Sequence, residues 1–218
     1  IASGWYALGE IVRRLDGRAF ADYVREEIFV PLGMADCWIG MPAERYDEYG
    51  ERMALVYNTE SGAAQGQAFR EGAVAAARCV PGASGRGPAR QLAYFYEALL
   101  AGGQRHGHRV ASPQTVEALV SRQRTGLFDH TFNHVMDWAL GFIVNSSIYG
   151  AETVPYGYGL HATPRTYGHS GQQTSVAFAD PEWDLAVALI VNGMPGPDKH
   201  HRRFFDLLNA LYEDLQLT

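Results

Sequence analysis

Lysine is nearly absent from this chain. Of the 18 basic side chains among its 218 residues, one is lysine, Lys199, and the other seventeen are arginine. A reaction that needs a lysine must use Lys199 or find its lysine outside this stretch. Cysteine is scarce too. Cys37 and Cys79 fit no C-x-x-C metal spacing. Both read as buried thiols, and they leave the redox compartment open. No apolar run approaches the roughly 18 residues that a membrane span requires. A basic excess is also missing: the net charge is -6, which argues against a nucleic-acid partner. There is no G-x-x-x-x-G-K-[ST] phosphate loop, and no G-x-G-x-x-G follows a strand. The G-x-S-x-G elbow fails at Gly82–Arg86 and again at Gly168–Gln172, each lacking the last glycine. That argues against an α/β-hydrolase. The opening Ile1-Ala2-Ser3-Gly4-Trp5 carries no initiator Met, basic n-region or apolar h-region. It enters a helical pattern at once, and we read it as a cut inside a longer protein.

What is present reads as an ordinary globular chain, 47% hydrophobic and 19% charged. Trp5, Leu8, Ile11, Val12 and Leu15 recur at helical spacing, with Gly17 as the stop. A second helix carries Phe20, Tyr23, Val24 and Ile28, and Pro31-Leu32-Gly33-Met34 turns it off. Residues 40–80 are weakly patterned and predict loops with short strands. Leu92, Phe95, Leu99 and Leu100 mark a helix that Gly102-Gly103 ends. Ser112-Pro113 is a cap followed by proline at the first helical position. Trp138 to Val144 predicts a strand, and 145–165 a Gly/Pro/Tyr-rich loop. Ser175–Asp180 and Leu185–Asn192 predict two strands joined by a turn at Pro181–Asp184. Phe204, Leu207, Leu208, Leu211 and Leu215 give a terminal amphipathic helix. The expected fold class is α+β, with 1–137 mainly helical and loop, and 138–218 an antiparallel sheet with its closing helix.

The histidines point to no metal. His130 and His134 are four apart, but the Glu of H-E-x-x-H is missing. His106, His108, His200 and His201 read as solvated. No cofactor is expected. The informative segment is Tyr167-Gly168-His169-Ser170-Gly171-Gln172, ahead of two clean strands. A small residue on such a strand lets a ligand lie against the backbone. The Gln172 N–H can serve there as an oxyanion donor, with His169 and Ser170 beside it. A tight strand entry around a hydrogen-bonded histidine accounts for the same residues.

The order of segments resembles serine hydrolases of the class C β-lactamase type. This superfamily also holds penicillin-binding proteins, D-peptidases and family VIII-like esterases. The resemblance rests on Gly4-Trp5-Tyr6-Ala7-Leu8-Gly9-Glu10-Ile11-Val12, then Ile28–Met34, then His169-Ser170-Gly171 and the strands at 175–180 and 185–192. It implies a β-lactamase/transpeptidase-like fold of antiparallel sheet and flanking helices, with the N-terminal part missing. It also implies an acyl-enzyme mechanism built on a serine and lysine in S-x-x-K, a tyrosine, and a K-T-G or H-x-G triplet. By resemblance, His169, Ser170 and Gly171 are that triplet and bind substrate, and Gln172 N–H is one oxyanion donor.

Position 196, three before Lys199, is glycine, so no S-x-x-K occurs in this chain. The implied tyrosine falls just upstream of Ile1, and Tyr6 fits a packing role better. The resemblance therefore implies the C-terminal portion of a longer serine hydrolase, acting on a small-molecule ester, amide or β-lactam. An imidazole lacks the constant charge of lysine at neutral pH, so the H-x-G form favours ester or peptide over β-lactam. The alternative is a non-catalytic, penicillin-binding-like domain that keeps the groove but has no nucleophile.

Overall fold

The computed structural model describes residues 3–66 and 71–218. Helix α1 spans Ser3–Asp16. Gly17 closes it at φ 94°, with its N–H donating to the Arg13 carbonyl at 2.9 Å, a left-handed turn that glycine adopts freely. The expected apolar stripe is present but uncovered. Leu8 and Ile11 are about half exposed and Leu15 is 84% exposed. On α1 only Gly9 is buried, facing Pro81 and Phe20.

Helix α2, Phe20–Val24, widens into a π-helical turn over Arg25–Phe29. The Pro31–Met34 turn follows as expected, and its Leu32 and Met34 join Cys37 and Ala98 in a small core. The weakly patterned 40–80 region differs from expectation. It contains two short helices, α3 (Ala43–Tyr49) and α4 (Gly72–Ala76), besides short strands. Seven and five residues are too few to display a 3.6-residue period. The stretch 67–70 lies outside the described residues. Cys37 is buried as expected, but Cys79 is exposed because the chain leaves α4 along the surface.

Three small strand sets brace this half. β1 (Trp38–Ile39) pairs with β4 (Gly85–Arg86), and β2 (Tyr57–Asn58) pairs with β3 (Gln65–Gly66). β5 (Gln104–Arg105) pairs with β6 (His108–Arg109). Helix α5, Ala89–Leu100, precedes the Gly102-Gly103 turn. Helix α6, Pro113–Val120, starts as expected: the Ser112 hydroxyl accepts from Thr115 N–H at 3.1 Å.

The main sheet has six strands: β7 (Arg124–Asp129), β8 (His134–Trp138), β9 (Ile143–Val144), β10 (Tyr167–Gly171), β11 (Ser175–Asp180) and β12 (Leu185–Ile190). Their spatial order is β12-β11-β10-β9-β8-β7, antiparallel throughout. The sheet thus begins at Arg124, within the region expected to be helix and loop. The single strand expected over Trp138–Val144 is a hairpin. It bends at Gly141 (φ 86°), and Ala139 N–H donates to Phe142 O at 2.9 Å. His130 and His134 share no helix, since His134 opens β8 after a turn.

α5 and α6 cover one face of the sheet through Tyr96, Leu99 and Val116, which cluster with Tyr167 of β10. Helix α7, Pro197–Asp214, covers the other through Phe204, Leu208 and Tyr212 against Phe178. The fully buried Asp180 carboxylate ties the layers together. It accepts from Thr163 N–H (3.0 Å), Thr163 Oγ1 (2.6 Å) and Tyr212 Oη (2.8 Å). A short parallel strand, β13 (Gly193–Met194), joins β2 before α7.

The sheet's two edges differ. β7 carries Arg124, Asp129 and a register irregularity near Gly126, features that discourage further pairing. β12 reads Leu-Ala-Val-Ala-Leu-Ile, with no charge, proline or register shift. Such an edge and the exposed Leu8, Ile11 and Leu15 of α1 both invite contact. We therefore expect this 218-residue chain by itself to self-associate. Light scattering with size-exclusion chromatography checks this, and a monodisperse, cooperatively melting monomer is the contrary result.

Candidate active site

β10 is paired along its whole length with β11, from Tyr167↔Ala179 to Gly171↔Ser175. On its other side β9 matches only Tyr167 and Gly168. His169, Ser170 and Gly171 therefore have one unpaired edge, although β10 is an interior strand of the sheet. Backbone groups on such an edge are ready to pair with an extended ligand.

Two tyrosines buttress this strand from opposite faces. The Tyr158 hydroxyl donates to Ile143 O at 2.9 Å. The Tyr96 hydroxyl faces the His169 backbone N–H. Burial pushes both phenols well above their ordinary range, so neither is a base at neutral pH. A side chain at Gly168 would strike Ala177 O and Phe178, and one at Gly171 would strike Ser175 Oγ. The neighbouring strand β11 thus demands glycine at 168, where the clash is with backbone, whereas at 171 the Ser175 hydroxyl can turn aside.

His169 is exposed, with its Nδ1 2.9 Å from Ser170 O and its ring 5.9 Å from that of Trp138. Ser170 lines a cavity of about 10 Å3 with Tyr156, His200 and Phe204, enough for a single water. Gln172 lies just beyond the strand, at the start of the three-residue turn to β11. The structure therefore brings His169, Ser170, Gly171 and Gln172 together at one end of β10. Tyr6 is half exposed on α1 rather than packed.

The turn is held by groups that the sequence did not reveal. Gln173, at φ 54°, accepts from Gly196 N–H through its side-chain oxygen at 2.9 Å. Its carbonyl accepts from Arg203 Nη2 at 3.0 Å, and the same nitrogen reaches Gly193 O at 3.2 Å. Burial lowers the Arg203 pKa from its ordinary value. The start of α7 therefore anchors the turn that carries Gln172. A glutamine and an arginine thirty positions apart leave no local signal of such a link.

Contrary to the solvated position expected from sequence, His200 is buried against Tyr156 and Phe204. Aromatic packing at the helix start accounts for the difference. Burial, with help from Arg203 and His201, lowers its pKa to about 4.

Residues 2–211 match the family described as Beta-lactamase. The chain belongs to the β-lactamase family. It is 24% identical over 201 residues to an N-acetylmuramyl-L-alanine amidase of Bacillus subtilis, covering 87% of this chain and 43% of that protein. A penicillin-binding protein homologue from Caulobacter crescentus superposes with a TM-score of 0.69 at 30% identity. That match covers 93% of this chain and 55% of the other. A family VIII carboxylesterase gives a TM-score of 0.68 at 25% identity, with the same coverage. The chain thus spans about half the length of these relatives. The expected α+β, β-lactamase/transpeptidase-like fold is the one observed. Among the described residues, no helix is long and apolar enough to cross a membrane.

His200 gives this region a pH signature. Its folded pKa lies below the ordinary 6.5, so the unfolded chain binds the proton first. Its contribution to stability is complete above about 6.5 and is lost as pH falls toward about 4. We expect His200→Phe to flatten the fall of melting temperature across that window. Parallel wild-type and variant curves are the contrary result.

Proposed function

We propose that this chain is the C-terminal part of a serine hydrolase that acts through an acyl-enzyme on a small-molecule ester or amide. It is a partial β-lactamase-related domain, and the rest of the longer protein supplies the nucleophilic serine, the lysine and the tyrosine. The observation that carries this reading is the open edge of β10 at His169–Gly171, ending in a turn that α7 holds in place. His169 and Ser170 orient the substrate. The strand edge takes up its backbone or its ester plane, and Gln172 N–H faces the developing oxyanion. In such a reaction the serine oxygen adds to the carbonyl carbon while a base takes its proton. Fixed N–H donors stabilise the resulting negative charge. The leaving alcohol or amine departs with a proton, and water then releases the acid.

Three observations support a longer parent. No serine stands three residues before Lys199. The relatives are about twice as long as the matched segment. Leu8, Ile11 and Leu15 of the α1 stripe are half exposed or more, and among the described residues no strand pairs beyond β12. The ring of Trp5, at the start of α1, rests between Gly82 and Gly141. Gly141 lies in the hairpin that leads into β9, so α1 begins beside the open edge. Ester and amide are favoured over β-lactam because an imidazole, at His169, stands where a lysine would hold a carboxylate by constant charge.

In the longer protein we expect a fluorophosphonate to label a serine upstream of Ile1. His169→Ala should lower kcat/KM on a nitrophenyl ester by about 10- to 100-fold, in the range of a lost binding and orienting contact. Absence of labelling together with a wild-type His169→Ala variant is the contrary result. It would favour a non-catalytic ligand-binding domain instead.

A further inference from the structure

A second cavity lies away from the open edge of β10. It measures about 230 Å3 and sits where α6 meets the paired ends of β9 and β10. Val144 and Tyr167, directly opposed across those strands, line it together with Val120 of α6. Drug-sized ligands take pockets of about 300 Å3 or more, so this one suits a single smaller molecule. Tyr167 and Gly171 are about 13 Å apart along the strand. The cavity is therefore separate from the candidate active site, and its reading does not depend on the hydrolase assignment.

Charges of both signs face this space. Arg122 is held in place: its Nε donates to Asp137 at 2.8 Å, and its Nη2 donates to Asn145 O at 3.1 Å and Pro164 O at 2.5 Å. Its Nη1 bonds to none of the described residues. Arg165 lines the same cavity and has no hydrogen bond or ion pair among the described residues. Glu117 stands on α6 with its carboxylate 3.3 Å from the Ser121 hydroxyl, and no cation pairs with it there. Burial pushes the Tyr167 phenol up to about 12, Arg165 pulls it down and Glu117 pushes it up. Both charges thus bear on one hydroxyl, from within a single cavity.

We propose that this cavity binds a small zwitterion of the amino-acid type. Its carboxylate meets Arg122 and Arg165, its ammonium meets Glu117, and its apolar side chain lies on Val120 and Val144. The unbonded guanidinium of Arg165 suits a carboxylate because it offers paired donors in one plane, and Arg122, already paired with Asp137, adds its one remaining donor, Nη1. Arg122 is already immobilised, so it loses little freedom on binding.

The test is calorimetric titration of the longest soluble form of the protein that carries this chain. The ligands are L-leucine, 4-methylpentanoate, which lacks the ammonium, and 3-methylbutylamine, which lacks the carboxylate. We expect leucine to bind, and each half-ligand to bind at least about tenfold more weakly. Arg165→Gln should weaken leucine by a similar factor. Glu117→Gln should erase the preference for leucine over 4-methylpentanoate. Both positions are exposed, so melting temperatures should stay near wild type. Failure of leucine to bind overturns the proposal. So does equal binding of leucine and 4-methylpentanoate, or leucine binding that neither variant changes.

Discussion

Pairing between β9 and β10 stops at Gly168, while β10 continues for three residues held only by β11. The candidate site depends on that mismatch in strand length. A longer β9 would occupy the edge of His169, Ser170 and Gly171 with its own backbone. The hairpin at Ala139–Phe142 prevents this, because it turns the chain before β9 can extend. An unsupported half-strand would fray, and the surrounding packing opposes that. Tyr96 meets the His169 N–H, Tyr158 holds Ile143 where β9 ends, and Gln173 and Arg203 bind the following turn to α7. The result is a strand paired with β11 and open on the side where β9 stops, the arrangement that the proposed recognition of a carbonyl substrate uses.

The parts of the fold that were legible are those written in local chemistry. Ser112-Pro113 announces α6, and Gly17 ends α1, through the same capping rules that the structure displays. Two apolar runs around Pro181–Asp184 give β11 and β12. The short helices α3 and α4 were invisible because they hold one or two turns each. β8 and β9 merged into one expected strand because Trp138 to Val144 is apolar on both sides of Gly141. Its bend depends on one positive φ.

The candidate site is marked in the sequence only by resemblance. Nothing local in His169-Ser170-Gly171 distinguishes a substrate strand from a tight strand entry. The contacts that hold it, Tyr96 from α5 and Arg203 from α7, come from distant segments. The burial of His200 has the same origin, because its environment is made by Tyr156 and Phe204. The single lysine worked in the opposite direction. Glycine three positions before it is readable in the sequence, and it is why the proposed nucleophile is placed outside these residues.

The central claim is that the free edge of β10 receives the substrate. Hydrogen–deuterium exchange on the longer protein, before and after reaction with a phosphonate ester, tests it most directly. The account predicts new protection at the backbone amides of Ser170 and Gln172, which lie on the β9 side of the strand, with His169, Gly171 and Ser175–Asp180, on the β11 side, unchanged. Labelled protein that leaves those amides exchanging as before, with new protection elsewhere, would contradict it.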